Sequence, residues 1–110
     1  MISTSVAPPL WRQLQLAAQV CAAVQSGASG TALLDQVDPA LRPGVQALCF
    51  HAWRQWGRAQ VLRSLLVSKP PPPPVDALLC VALSLLADDG PKRYDAFTLV
   101  NQAVEAAKRQ

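Results

Sequence analysis

The stretch Val45–Arg54, with the sequence VQALCFHAWR, decides how the rest of the chain is interpreted. Its apolar residues recur at steps of three and four, the spacing that turns one face of an α-helix towards a core. This face comprises Val45, Leu48, Cys49, Ala52, Trp53 and, just beyond the stretch, Trp56. The stretch therefore predicts an amphipathic helix. The Pro43-Gly44 pair before it predicts that the helix begins near Pro43.

The residues that precede this helix predict two others. The first runs from about Leu10 to Gln25, and Gly27 ends it. Ser29 is a candidate N-terminal cap for a short second helix. The first predicted helix buries one apolar stripe and the second buries two leucines: Leu10, Leu14, Ala17, Cys21 and Val24, then Leu33 and Leu34.

Three further helices are predicted after the central one. Gly57 bends the chain into a fourth helix, the fifth spans about 74–87, and the sixth spans about 95–109. The fifth is apolar on every side, which is typical of a helix at the centre of a bundle. The predicted inner residues are Leu62, Leu65 and Leu66 in the fourth helix, and Phe97, Val100, Val104 and Ala107 in the sixth. On the sixth helix, Glu105 can pair with Arg109.

Five consecutive prolines, Pro70–Pro74, precede the fifth helix. We interpret them as a connection between two helices, with Pro74 near the first helical position, because Asp76 and an apolar run follow immediately. The alternative is a stiff polyproline spacer or a ligand for proline-binding domains.

Composition limits the chain to a single small all-α domain. It has 110 residues, of which 51% are hydrophobic, 15% charged and 5% aromatic. Residues 1–9 are predicted to be a flexible lead-in, and residues 10–110 a bundle of about six helices. The net charge of +3 permits an anionic partner without demanding one.

The cysteines and the hydropathy pattern favour a cytoplasmic protein without a metal site. Cys21, Cys49 and Cys80 form no Cys-x-x-Cys pair and are predicted to be small buried hydrophobic residues. The N-terminus lacks the pattern of a signal peptide, and the most apolar run, Val75–Ala87, is too short to span a bilayer. We therefore expect a cytoplasmic chain with no membrane partner.

Two segments together resemble the all-helical NusB-like RNA-binding domain. One is the central stretch, and the other is Leu99–Lys108, with the sequence LVNQAVEAAK. The resemblance covers roughly Leu10 to the C-terminus. It is nearest to the N-terminal domain of bacterial small-subunit (16S) ribosomal RNA cytosine-5 methyltransferases of the Sun/Fmu type. The residues of the central stretch that carry it are Val45, Leu48, Cys49, Phe50, Ala52, Trp53 and Arg54.

The resemblance implies an accessory domain, since the chain lacks the residues of a methyltransferase. It has no glycine-rich turn for S-adenosylmethionine, and none of its cysteines follows a proline, as the nucleophile of this enzyme class typically does. We expect no catalytic residues or cofactor here, and S-adenosylmethionine in a separate C-terminal catalytic domain. NusB-like domains have a further helix after the second segment, so we interpret the sequence as C-terminally truncated.

The expected RNA contacts are Arg12, near the start of the first helix, and the group Lys92, Arg93 and Tyr94 before the sixth. Cations can meet phosphates, and an aromatic ring can stack on an unpaired base. A second choice comprises Arg54, Arg58 and Arg63. We interpret Phe50 as buried against the fourth helix and His51 as a surface residue.

The leading functional hypothesis is an RNA-binding domain that positions ribosomal RNA for the catalytic domain of the same polypeptide. One alternative is a stand-alone NusB-type transcription antitermination factor, and another is a helical protein-interaction module. The resemblance also suggests that an uncovered groove beside Val81, Leu85, Val100 and Val104 drives self-association.

Overall fold

A computed structural model describes residues 8–87 and 94–109, and within them all the regular structure is α-helical. The helices are α1 (Leu10–Gln25), α2 (Gly30–Asp35), α3 (Arg42–Arg54), α4 (Trp56–Leu66), α5 (Pro73–Leu86) and α6 (Ala96–Lys108). The all-α prediction with about six helices is confirmed. The bounds predicted for α1, α5 and α6 agree with the structure to within one residue, and α3 begins one residue before Pro43.

Helix α5 lies at the centre of the bundle, as its uniformly apolar sequence predicts. It contacts α1, α3, α4 and α6. Seven of its fourteen residues are buried. Pro73 and Pro74 occupy its first two positions, where the missing N–H groups cost no helical hydrogen bond. The interpretation of the proline run as a helix connection is therefore confirmed.

The main core lies between α1, α3 and α5, and much of it consists of small side chains. Ala17 and Cys21 of α1 meet Cys49 and Ala52 of α3, and all four are fully buried. Cys49 Sγ lies 3.8 Å from the carbonyl oxygen of Ala17, which it can reach as a weak donor. Small residues let the two helices approach closely. Cys80 of α5 is buried as well, so the prediction that Cys21, Cys49 and Cys80 are small buried hydrophobic residues is confirmed.

The imidazole of His51 links α3 to α5. Its Nε2 lies 3.0 Å from the carbonyl oxygen of Ser84. A carbonyl oxygen can only accept, so Nε2 carries the proton and donates. His51 is half-buried, and its interpretation as a surface residue is wrong, because α5 passes close enough for the ring to reach a backbone carbonyl.

Helix α6 turns a different face to the core than its pattern of large apolar residues predicts. Leu99 and Ala106 are buried, whereas Phe97, Val100 and Val104 are 80%, 50% and 48% exposed. Contacts with α1 fix this rotation: the backbone N–H of Trp11 donates to Gln102 Oε1 at 3.0 Å, and Gln15 Nε2 donates to the carbonyl oxygen of Ala106 at 3.3 Å. The predicted inner stripe of Phe97, Val100, Val104 and Ala107 is therefore wrong.

Helix α4 also differs from its predicted orientation. Ala59 is its fully buried residue, and Leu62 is half-buried beside it. Leu65 and Leu66 are 77% and 65% exposed, so their prediction as inner residues is wrong. The small Ala59 packs against Cys80 and Leu83 of α5. Leu65 and Leu66, more than a turn further on, lie outside this buried cluster, and Leu66 lines an open groove beside α5.

Glycine is required at the end of α1 but not at the start of α4. Gly27 has φ +102°, in the region that L side chains rarely adopt, and it follows the last turn of α1 as predicted. Gly57 lies inside α4 without a positive φ. The bend before α4 occurs at Gln55, with φ −110° and ψ 13°, so the prediction that Gly57 makes the bend is wrong.

We predict opposite effects for alanine at these two glycines. Gly27→Ala should lower the free energy of unfolding by about 1 kcal/mol, because alanine is strained at positive φ. Gly57→Ala should raise it by about 0.5–1 kcal/mol, because no atom lies within 4 Å of the added methyl group and alanine favours the helix. Urea denaturation of both variants checks the signs, and equal effects would contradict this account of the turn.

Candidate nucleic-acid interface

The segment that contains α3 and α4 carries half of the positive charges of the chain. Residues 39–75 contain five of the ten Lys and Arg residues of the chain and no Asp or Glu. They are Arg42, Arg54, Arg58, Arg63 and Lys69. The absence of acids over 37 residues is visible in the sequence, and it is the signal that identifies Arg42, which the sequence-based site did not include.

One row of side chains follows the outer surface of α3 at steps of four residues. It consists of Arg42, Gln46, Phe50 and Arg54. Steps of four form a ridge on a helix, and twelve residues at about 1.5 Å per residue extend it over about 18 Å. A cation therefore stands at each end of the ridge, with an amide and an aromatic ring between them.

Phe50 supplies the aromatic surface of this ridge. Its side chain is 43% exposed, so its interpretation as buried against α4 is wrong. The ring lies against Trp53, with centroids 5.7 Å apart and planes inclined by 46°. Phe50 also lines a shallow hollow of about 560 Å³ with Pro39, Arg42 and Gln46. Trp53 holds the ring from one side and leaves part of it open to solvent.

Arg42 is anchored by the backbone at the end of α2. Its Nη2 donates to the carbonyl oxygens of Asp35 and Val37, each at 2.9 Å. These bonds satisfy carbonyls at a helix C-terminus, where a cation is also favoured by the helix dipole. Carbonyl groups carry no net charge, so the positive charge of Arg42 is held in place beside the Phe50 hollow without being neutralised by them.

Arg54 and Arg58 lie together at the junction of α3 and α4, and both are exposed. Arg54 is the last residue of α3 and Arg58 is the third residue of α4. This pair continues the positive surface beyond Phe50. Both belong to the second choice of RNA contacts that the sequence predicts.

Arg63 has a different role from its neighbours. Its Nε lies 3.0 Å from Asp76 Oδ1, and both side chains are mostly buried, at 18% and 26% exposure. This ion pair joins α4 to the first turn of α5. Arg63 is therefore a packing residue between two helices, and its charge is balanced by Asp76.

The RNA contacts that the sequence predicts first, Arg12, Lys92, Arg93 and Tyr94, do not form one described surface. They are called the first-choice residues below. Arg12 is half-buried on α1 and its Nη1 donates to Gln15 Oε1 at 2.5 Å. Tyr94 is half-buried and packs against the main core, so it is not the exposed ring that the sequence predicted. Lys92 and Arg93 lie outside the described residues. Of this first-choice set, Arg12 is the cation whose position is described.

The N-terminal cap of α6 is an acidic group next to these first-choice residues. Asp95 Oδ1 accepts from the backbone N–H of Thr98 at 2.7 Å, and Oδ2 accepts from the Thr98 hydroxyl at 3.0 Å. The hydrogen bond from the Thr98 backbone, and after it the one from the Thr98 hydroxyl, hold the pKa of the Asp95 carboxyl below its ordinary value. In the sequence, Asp95 offsets one of the two positive charges of Lys92 and Arg93.

No family model matches this chain, and neither a curated protein nor a solved structure does. Within residues 8–87 and 94–109, no helix has the length and hydropathy that crossing a membrane requires. In the same residues, no three His, Cys, Asp or Glu side chains are grouped as metal ligands.

We predict that alanine substitutions of Arg63 and of Arg54 change the free energy of unfolding by different amounts. Arg63→Ala should lower the free energy of unfolding by about 1 kcal/mol, because it leaves the half-buried Asp76 carboxylate without its partner. Arg54→Ala, a matched loss of one exposed cation, should change it by less than about 0.5 kcal/mol. Chemical denaturation measures both, and equal stability losses would contradict the division between packing and surface arginines.

Acidification should weaken the cap of α6. Because the pKa of Asp95 is lowered in the folded chain, its stabilising effect is complete above the ordinary carboxyl pKa. It is lost as the pH falls through the lower folded value. Asp95→Asn should remove the part of the stability change below about pH 4 that this charge causes. Thermal melts of both proteins between neutral and acidic pH measure this difference, and identical pH profiles would contradict the assignment.

Proposed function

We propose that the chain is an RNA-binding domain of the NusB type that positions ribosomal RNA for cytosine-5 methylation by a separate catalytic domain. The observation that carries the proposal is the acid-free segment of residues 39–75, which bears the Arg42–Arg54 ridge on its outer surface. The resemblance of the Val45–Arg54 and Leu99–Lys108 segments supplies the family and the reaction. The catalytic domain, its S-adenosylmethionine and the further family helix stay predictions.

The chemistry of the ridge suits RNA with unpaired bases. Arginines at either end can bind phosphates, and the exposed part of the Phe50 ring can stack on a base. Gln46, between them, can donate to or accept from a base edge. A rigid α-helix presents all of these groups, so the RNA would be held at a fixed position relative to the rest of the domain.

Positioning explains how a chain of this kind contributes to a methylation reaction. Phosphate contacts fix the orientation of the RNA, and the effective concentration of the target base at a tethered catalytic site rises accordingly. The domain then needs only moderate affinity, because the covalent link to the catalytic domain supplies the second contact. A net charge of +3 is compatible with such moderate, salt-sensitive binding.

We expect the arginines and Phe50 to contribute to RNA affinity in different ways. Contacts with about four to six phosphates give a negative slope of log affinity against log salt. Arg54→Ala and Arg58→Ala should each flatten that slope by about 1 and weaken binding to all sequences alike. Phe50→Ala should weaken binding by about 1–3 kcal/mol without changing the slope, because a stacked base releases no counterion.

Fluorescence anisotropy with labelled single-stranded and hairpin ribosomal RNA fragments, over a series of salt concentrations, measures these effects. Lys108→Ala is the matched control, since it removes one exposed cation from α6 and should leave the slope unchanged. A triple Ala variant at Arg12, Lys92 and Arg93 tests the first-choice site: if it alone flattens the slope, the RNA surface is there and not on α3–α4. Absence of RNA binding at low salt would instead favour a protein-interaction module.

A further inference from the structure

Two cysteines face each other in the contact between α1 and α3. Cys21 of α1 and Cys49 of α3 are both fully buried, in the cluster that also contains Ala17 and Ala52. Cys49 Sγ lies 3.8 Å from the carbonyl oxygen of Ala17, the group that in a regular α-helix accepts the backbone N–H of Cys21. Helical side chains lean towards the N-terminus, so the Cys21 thiol lies over this same turn. The two thiols therefore meet at one point of the contact.

The hydrogen bond between these thiols distinguishes one sulfur from the other. The Cys49 thiol can donate to the Cys21 sulfur, and this contact, acting against burial, lowers the pKa of Cys21. The same contact, followed by burial, raises the pKa of Cys49. Because the thiolate is the nucleophilic form of cysteine, Cys21 is the sulfur of the pair that reacts first.

The indole N–H of Trp53 also favours a negatively charged Cys21. Trp53 Nε1 is buried and makes no hydrogen bond with the described residues. It too lowers the pKa of Cys21, with a smaller effect than that of the Cys49 thiol. A buried donor without an acceptor is unfavourable, and the sulfur of an ionised Cys21 supplies an acceptor. Two thiols and one indole thus form a site that RNA binding does not use.

The third cysteine has a different environment, although it is buried as well. Cys80 lies in a separate buried cluster with Ala59 and Leu83. Burial is the largest cause that raises the pKa of its thiol. The chain therefore contains an internal control, namely a buried cysteine that lies outside the α1–α3 contact.

We propose that Cys21 and Cys49 are a site of reversible oxidation, at which hydrogen peroxide produces a disulfide between α1 and α3. The Cys21 thiolate attacks one peroxide oxygen, the O–O bond breaks, and the departing hydroxide takes up the proton that Cys21 released. Cys21 is then a sulfenic acid. The Cys49 sulfur attacks the Cys21 sulfur, the S–S bond forms, the S–O bond breaks, and hydroxide leaves with the Cys49 proton as water. The two thiols lose two electrons, and one peroxide is reduced to two waters.

Burial determines which oxidant this site accepts. Neither sulfur is exposed in the closed domain, so oxidation requires a brief local separation of α1 from α3. Hydrogen peroxide is close to water in size and needs a smaller opening than glutathione disulfide does. The resulting disulfide closes the loop of residues 21–49, which includes α2, and so joins three helices covalently. This inference is independent of the proposed RNA binding.

Peroxide treatment of the reduced 110-residue chain, followed by intact mass measurement without reductant, tests the proposal. The wild type should lose two hydrogens, keep one free thiol and form no covalent dimer. Chymotryptic mapping should show the peptides of Cys21 and Cys49 joined, and the Cys80 thiol free. Dithiothreitol should restore all three thiols.

Single substitutions assign the two sulfurs their separate roles. Cys49→Ala should abolish the disulfide and leave Cys21 as a sulfenic acid, which dimedone traps as an adduct. Cys21→Ala should abolish both products, because Cys49 keeps its proton. Cys80→Ala is the matched control and should form the disulfide at the wild-type rate. Far-ultraviolet circular dichroism checks that each variant remains helical, and serine replaces alanine in any variant that does not.

Two tryptophan variants test the contribution of the indole. Trp53→Phe removes the N–H group beside Cys21 and should slow the oxidation without abolishing the disulfide. Trp56→Phe is the matched control, because Trp56 Nε1 is a second buried N–H without a partner among the described residues, and it does not lower the pKa of Cys21. This variant should oxidise like the wild type.

Three results would overturn the proposal. The first is a folded wild type whose three thiols all survive peroxide. The second is a disulfide that includes Cys80 or joins two chains. The third is a Cys21→Ala variant that peroxide oxidises at Cys49 as fast as it oxidises the wild type, since this would remove the distinction between the two sulfurs.

Discussion

The burial of α5 is the packing constraint on which the rest of the structure depends. Its sequence, PPVDALLCVALSLL, is apolar around the whole circumference, so no orientation leaves a polar face for water. Burying one Val or Leu side chain is worth about 1.5–3 kcal/mol, which makes several such residues a large share of the stability of a small domain. Helices α1, α3, α4 and α6 surround α5, and the side of α5 they leave open is the groove.

Small side chains determine how closely the other helices approach. The α1–α3 contact depends on Ala17, Cys21, Cys49 and Ala52, and the α1–α6 contact includes Ala106. Polar contacts then fix the rotation of each helix: His51 binds the Ser84 carbonyl, and Gln15 and Trp11 bind α6. Because these hydrogen bonds connect different helices, they select one arrangement among several that would bury similar apolar area.

Two surfaces with opposite chemistry result from this arrangement. The outer side of α3 and the start of α4 carry Arg42, Arg54 and Arg58, and Phe50 lies between Arg42 and Arg54. The α5–α6 face contains a groove whose lining residues are all Ala, Val or Leu. The hollow beside Phe50 and the α5–α6 groove have no lining residue in common.

The sequence by itself determined the helices and the central position of α5, because caps, prolines and three-to-four residue periodicity act over one or two turns of the chain. It also contained the acid-free segment of residues 39–75. The tertiary structure decided which apolar stripe each helix buries. Leu65, Leu66, Val100 and Val104 have the spacing of core residues, yet Ala59, Leu99 and Ala106 are inside, since small side chains and the Gln15 and Gln102 hydrogen bonds allow a closer fit. Periodicity identifies the apolar faces of a helix, but the choice between two such faces depends on the partner that each one meets.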